Sequence, residues 1–307
     1  MSTSDHAPLR VAPEVRDAIE DRVGVVALET TLLVHGLPPG DALQVASDID
    51  ATVRKEGAVP ATVGVVAGEV VVGLTPAEVE RLLDRRDDVR KLSWRDLGWA
   101  AAARIDGATT VASTIVAASI AGVSVMATGG IGGVHRGARE SFDESADLVA
   151  LARTSMLVVA SGVKSILDVP ATLERLDTLG VAVGAYRTDR IPGFYIVDSG
   201  IAAEWTVSTP ADAALSFRAH RSFRGRGMLL ANPVPVDAAM DPEVHDRLLA
   251  DGLALCEEAG ISGREVTPFL LGHFAKQSGG ASVSTNIALV LDNAAVAARV
   301  ARALGSP

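Results

Sequence analysis

Met156-Leu157-Val158-Val159-Ala160-Ser161-Gly162-Val163-Lys164-Ser165-Ile166-Leu167-Asp168 is the stretch from which the fold is read. Its apolar run, Met156–Ala160, has no polar alternation, the mark of a strand buried on both faces, and Ser161-Gly162 ends it. Similar runs recur on either side, at Val23–Leu28, Val123–Thr128, Val181–Ala185 and Met228–Ala231. Helical patterns lie between them. Asp41 opens a helix that runs to about Glu56 and ends at Gly57. Thr75-Pro76-Ala77-Glu78 is a capping box with proline at the first helical position, and it starts a helix through about Asp84. Thr110–Ala121 is a helix of small residues closed by Gly122, and the last 60 residues are mostly helical. Val63–Val66 and Val70–Gly73 flank Ala67-Gly68-Glu69, which predicts a tight hairpin. Asp198–Ser208 is expected to be a surface excursion. Strand–helix alternation with one hairpin predicts an α/β protein, specifically an α/β/α sandwich with a mixed, largely parallel sheet. A single domain is expected over residues 12–305, preceded by a loosely ordered terminus over residues 1–11.

Composition narrows the function classes. The chain of 307 residues carries 28 basic and 38 acidic side chains, a net charge of −10. Nucleic acid is therefore not the expected partner, since phosphate backbones need clustered cations. A small anionic substrate remains compatible, because a local basic pocket can outvote the global sign. The single cysteine, Cys256, excludes an internal disulfide and a cysteine zinc cluster, and is expected to be an inert, half-buried thiol. No apolar run reaches the roughly 18 residues of a membrane span, and Met1–Arg10 lacks a signal core. A cytoplasmic, soluble protein is expected.

Ligands of such sheets gather beyond the carboxyl ends of the strands. Three segments qualify: Glu29, the loop after Thr128, and Ser161–Lys164. Gly129-Gly130-Ile131-Gly132-Gly133-Val134-His135-Arg136-Gly137 fits neither the dinucleotide nor the P-loop fingerprint. It is either an anion cradle of free backbone N–H groups, helped by His135 and Arg136, or a tight turn packed on a neighbour. Asp143 and Asp147 are four apart, which on a helix puts both carboxylates on one face. They would hold magnesium or manganese, or else sit on a solvated helix N-terminus. Lys164 follows a buried strand among apolar residues, where a desolvated amine becomes a nucleophile, unless it snorkels to the surface. Glu29, at the end of its strand, is a general acid or base or a turn carboxylate. Lys91 and Arg95 could meet a phosphate or form a solvated basic face. Asn286 could read an imide edge or cap a helix.

The same segments resemble a known family, the pseudouridine-5′-phosphate glycosidases, which include the indigoidine synthase A-like C-glycosidases. The resemblance is carried by Ala27-Leu28-Glu29-Thr30-Thr31 with His35-Gly36-Leu37-Pro38, by Gly57–Thr62, by Gly107–Thr114 and by Ala127–Gly137. It continues through Phe142-Asp143, Ser145-Ala146-Asp147, Gly162–Asp168, Ala231–Pro235 and Thr267–Leu271, covering roughly residues 12 to 304. It implies a homotrimer with a divalent metal, manganese or else magnesium, acting on a sugar phosphate and a base. It implies Lys164 as nucleophile, Glu29 as acid/base group and Asp143 as metal ligand, a role Asp147 could share. Lys91, Thr110, Val111, Thr128, Ser145, Ala146 and Asp147 then fall at substrate contacts, with His135 and Asn286 at phosphate and base contacts. The implied reaction breaks pseudouridine 5′-phosphate into uracil and ribose 5-phosphate through a lysine imine. The family usually has serine at position 30 and asparagine at 42, where this chain has Thr30 and Ala42. Those differences bear on the acceptor ring and leave open a biosynthetic relative that joins ribose 5-phosphate to an aromatic polyketide-type acceptor. A non-catalytic sugar-phosphate binder is the alternative of another class.

Overall fold

A computed structural model describes residues 9–261 and 266–305. Its strands are β1 (Leu9–Val11), β2 (Val25–Glu29), β3 (Val59–Val66), β4 (Glu69–Val72), β5 (Arg90–Leu92), β6 (Gly107–Thr109), β7 (Val125–Ala127), β8 (Leu157–Ala160), β9 (Ala182–Tyr186), β10 (Thr206–Val207) and β11 (Met228–Ala231). The helices are α1 (Pro13–Glu20), α2 (Thr31–His35), α3 (Pro39–Lys55), α4 (Pro76–Asp84), α5 (Leu97–Ala103), α6 (Val111–Ile120) and α7 (Ala138–Ser141) in the first half. The second half adds α8 (Ala146–Arg153), α9 (Val169–Thr178), α10 (Pro210–Ser222), α11 (Pro242–Glu258), α12 (Val266–Gln277) and α13 (Ala281–Gly305).

One sheet runs in the order β1-β4-β3-β2-β7-β8-β11-β9-β10, with β6 also paired to β3 and β5 to β6. Among the described strands only the pairs β3–β4 and β3–β6 are antiparallel. The sheet is therefore mixed and largely parallel, with helices on both sides. The hairpin expected at Ala67-Gly68 forms, with both residues at positive φ. The capping box at Thr75 forms too, its Oγ1 accepting from the Glu78 N–H at 3.3 Å while Glu78 reaches back to the Thr75 N–H at 2.8 Å. Leu9–Val11, grouped by sequence with the loose terminus, instead pairs in parallel with β4 at Val70–Val72. The rest of that terminus, residues 1–8, lies outside the described residues.

The central strands are buried on both faces because helices cover them. Leu157, Val158, Val159 and Ala160 are fully buried, as are Leu229, Leu230 and Ala231 of the adjacent β11. α13 packs on β2, β7 and β8. α6, also on β2, buries seven of its ten residues, most of them small, so it sits close to the sheet and to α8. Register aligns the strand ends: Leu28 stands beside Ala127, Ala127 beside Val159, and Ala160 beside Ala231. Glu29, Thr128, Ser161 and Asn232 consequently leave the sheet along one edge. Cys256 is buried in α11, and its burial pushes the thiol pKa up, which keeps it a poor nucleophile.

Candidate active site

Glu29 is the last residue of β2 and its carboxylate accepts from Thr128 Oγ1, one strand over. Burial raises its pKa, against the opposing pull of Lys164 and of the Thr128 hydroxyl. A carboxyl group so placed keeps its proton to higher pH than an ordinary glutamate. Lys91, on β5, also faces this carboxylate. Lys91 is an exposed residue; partial desolvation of its ammonium by the surrounding site, with Lys164 nearby, lowers its pKa, while Glu29 and Asp147 oppose the shift. Glu29, Lys91, Asp147 and Lys164 therefore form one electrostatic cluster beyond the carboxyl ends of β2, β7 and β8.

Lys164 is positioned by its backbone. Gly162 has φ +79°, and a Cβ there would lie 2.6 Å from the Pro192 carbonyl, so only glycine allows this turn. Beyond the turn, the Ile131 N–H donates to Gly162 O and the Lys164 N–H to Ile131 O, both at 3.1 Å. The lysine loop and the glycine loop thus continue the β7–β8 pairing past the sheet edge. Lys164 Nζ donates to Gly130 O, which turns the side chain inward; the snorkelling alternative is not what the fold adopts. Ser165, next in sequence, is held by buried His245, whose Nε2 lies 2.8 Å from its hydroxyl.

Several donors of the glycine loop point at the protein itself. Gly132 N–H goes to Asp147 Oδ2 at 2.8 Å, Val134 N–H to Thr172 Oγ1 at 2.9 Å, and His135 N–H to Asp143 O at 3.0 Å. A Cβ on Gly133 would sit 2.3 Å from Thr172 Oγ1, and one on Gly132 2.3 Å from Ser145 Oγ. Gly132 and Gly133 serve close packing, and the N–H groups of Gly132, Val134 and His135 are committed within the protein. Arg136 likewise spends its guanidinium on the Ile166 and Ser165 carbonyls. Arg95 lies in solvent beside Asp96.

Asp143 and Asp147 do not share a helix face. Phe142 takes a left-handed conformation (φ 54°) that ends α7, and α8 begins only at Ala146, capped by Ser145 Oγ. Asp143 is in the intervening loop, while Asp147 is in the first turn of α8. Asp147 is buried and accepts the N–H groups of Ala112 (2.9 Å) and Gly132 (2.8 Å), tying the start of α6 to the glycine loop. Thr110 caps α6, so the amino ends of α6 and α8 meet there, with Val111 and Ala146 at their first positions. Asp143 Oδ2 is buried without a hydrogen bond, and His135 Nδ1 stands 3.6 Å from it. Among the described residues no group of three His, Cys, Asp or Glu side chains converges on one point. A hard divalent cation that keeps most of its waters fits a lone buried carboxylate oxygen of this kind.

Asn286 does not cap a helix. It lies within α13, nearly buried, with Oδ1 unpartnered against Gly129. Its neighbour two turns on, Asn293, is fully buried and bonds to Thr128 O, and sequence reading misses it. The available signal is a pair of asparagines seven apart, on one face of an otherwise apolar helix. The two departures from the family pattern sit in packing positions: Thr30 Oγ1 donates to Val63 O at 2.9 Å, and Ala42 is in the core.

An α/β enzyme site with a lysine and a carboxylic acid at the sheet's carboxyl edge is what these elements build. The chain belongs to the family described as indigoidine synthase A like protein, whose profile matches residues 14–303. It is 55% identical over 295 residues to the pseudouridine-5′-phosphate glycosidase of Salinispora tropica, covering 95% of this chain and 91% of that protein. The enzyme of the same name from Herpetosiphon aurantiacus is 50% identical over 297 residues, covering 96% and 98%. Among solved structures, the prealnumycin C-glycosynthase AlnA in complex with ribulose 5-phosphate is 40% identical, with a TM-score of 0.90 and 97% of each chain covered. An indigoidine synthase A-like protein from Thermotoga maritima is 30% identical, with a TM-score of 0.88 over the whole of both chains.

Proposed function

We propose that this protein cleaves the carbon–carbon bond of pseudouridine 5′-phosphate, releasing uracil and D-ribose 5-phosphate through an imine on Lys164. The observation that carries this reading is the approach of an inward-turned lysine to a carboxyl group whose pKa burial has raised, at the edge where the strands end. Full-length identity to glycosidases of that name supports the substrate.

A C-glycosidic bond offers no leaving oxygen or nitrogen to protonate. The ribose ring must open first: C1′–O4′ breaks, O4′ takes a proton, and C1′ becomes double-bonded to uracil C5 as N1 loses its proton. The Lys164 amine adds to C1′, restoring the pyrimidine. Protonation at C5 then lets the nitrogen lone pair form C1′=N as the C1′–C5 pair returns to the ring. Water hydrolyses the imine and frees Lys164. Glu29 holds the proton that these steps move, and Thr128 keeps its carboxyl group aimed. Lys91 supplies positive charge for the phosphate, beside Thr110–Val111 and Ser145–Asp147 at the amino ends of α6 and α8, where the Asp147 carboxylate already meets α6. Asn286 presents a free carbonyl oxygen to a base N–H. Asp143 is the residue that would hold a divalent cation, manganese or magnesium, which would supply charge to orient sugar oxygens.

The test is release of uracil from pseudouridine 5′-phosphate with added manganese; no release discards the reading. Excess chelator is expected to lower turnover at least tenfold, with recovery on adding Mn2+, and rates unchanged by chelation discard the cation. A second reading, bond formation between ribose 5-phosphate and an aromatic acceptor, draws on the likeness to AlnA. The positions of Thr30 and Ala42 in the packing lend it no weight.

A further inference from the structure

α13 crosses behind the site, and at its middle stands Asn293, an uncharged polar side chain with no solvent exposure. Its amide nitrogen donates to Thr128 O at 2.9 Å and to Ser161 Oγ at 3.1 Å, with Gly129 O at 3.4 Å. Its own oxygen accepts from Asn232 Nδ2 at 2.9 Å, and Asn232 is anchored in turn on Asp292 at 2.7 Å. The acceptors belong to two different strand ends. Thr128 follows β7, and its hydroxyl holds Glu29. Ser161 follows β8, three residues before Lys164, and its N–H donates to Gly129 O at 2.9 Å. A single amide therefore spans the gap between the loop that aims the acid and the loop that carries the amine.

We infer that Asn293 is a positioning residue that fixes the distance between Glu29 and Lys164 by clamping the ends of β7 and β8 together. The inference rests on the proposed lysine-imine chemistry. Its physical basis is that both clamped groups are buried. Without the amide, the Thr128 carbonyl and the Ser161 hydroxyl each lose a donor in a place water does not reach, so the loops must move to find another. Reacting groups displaced by about 1 Å can lose on the order of 100-fold in rate. Packing alone would be satisfied by leucine or alanine at this position in an apolar helix, and neither offers a donor to both strand ends.

The experiment compares Asn293→Ala, the milder Ser161→Ala and a stability control that bears none of these hydrogen bonds, the buried Phe217→Leu in α10. For each, kcat and KM for uracil release, the pH dependence of kcat, the thermal midpoint and the rate of borohydride trapping of ribose 5-phosphate on Lys164 are measured. Asn293→Ala is expected to lower kcat and the trapping rate about 10- to 100-fold with KM little changed. Ser161→Ala should lose a few-fold in both. The alkaline limb of the pH profile, set by loss of the Glu29 proton, should move upward in Asn293→Ala. The Thr128 hydroxyl holds the Glu29 pKa down, and once it is loosened Glu29 is left facing Lys164, Lys91 and Asp147 without it. Phe217→Leu should lower the thermal midpoint without moving that limb. If Asn293→Ala loses no more kcat than Phe217→Leu and keeps the wild-type limb, the clamp is merely structural and the inference fails. Should Asn293→Ala not fold, wild-type kcat and trapping in Ser161→Ala overturn it equally. Trapping in the wild type at Lys164, matched by the variants, sinks the clamp alone; no adduct on Lys164 in the wild type removes the proposed chemistry and the clamp with it.

Discussion

Lys164→Ala is expected to abolish uracil release, a loss of at least about 10⁴-fold, while the protein keeps its thermal midpoint to within a few degrees. The loss is large because covalent capture of C1′ divides one inaccessible step into several accessible ones, and removing the nucleophile removes them all. The fold should survive because the hydrogen bonds that shape this loop are made by backbone groups. Ile131 with Gly162, and Lys164 N–H with Ile131 O, persist in alanine; only the Nζ bond to Gly130 O is lost. Borohydride treatment with ribose 5-phosphate should label the wild type on Lys164 and leave the variant unlabelled. A drop of ten degrees or more in the variant, or a label on another residue, would show that this lysine is structural.

The second large effect is expected at Glu29. Glu29→Gln keeps the shape and still accepts from Thr128, but cannot move a proton, and kcat should fall about 10²- to 10⁴-fold. Its stability should change in the opposite sense. The fold raises the Glu29 pKa above the ordinary 4.5, chiefly through burial. The folded state thus favours the protonated form. Its contribution is complete below the unfolded pKa and is lost as pH rises through the folded one. Near pH 8 the wild type carries the cost of a buried carboxylate and the glutamine variant does not. The variant should melt higher there, with the gap closing toward pH 4. A variant that melts lower than the wild type at pH 8 contradicts a raised pKa. Function at such a site is served by a residue that weakens the fold, which is common where groups are held against their preferred ionisation.

Much of this is legible in the chain because the determinants are local. Unbroken apolar runs such as Leu157–Ala160 mark their own strands, and Thr75-Pro76 marks its own helix. The strands β5, β6 and β10 are two or three residues long, and nothing in so short a segment separates a strand from a loop. Glu29 and Lys164 can be found because they follow strand runs directly. The spacing of Asp143 and Asp147 misleads for a definite reason. Four residues place carboxylates together only if the helix is continuous, and Ser145 starts a new helix by capping it, after Phe142 has ended the previous one. The glycine loop misleads similarly. Glycine content signals close approach but not what approaches, and here it is Ser145 and Thr172. Asn293 is not legible because its acceptors, Thr128 and Ser161, lie far back along the chain, at separations of 165 and 132 positions.

Asn286 and Asn293 both belong to α13, the last element of the described chain. During synthesis Glu29, Thr128 and Lys164 all emerge long before the helix that closes over them. A truncated polypeptide ending ahead of residue 281 would lack both asparagine side chains, and with them the amide that Asn293 gives to the Thr128 carbonyl and the Ser161 hydroxyl. The site therefore draws its groups from widely separated parts of the chain.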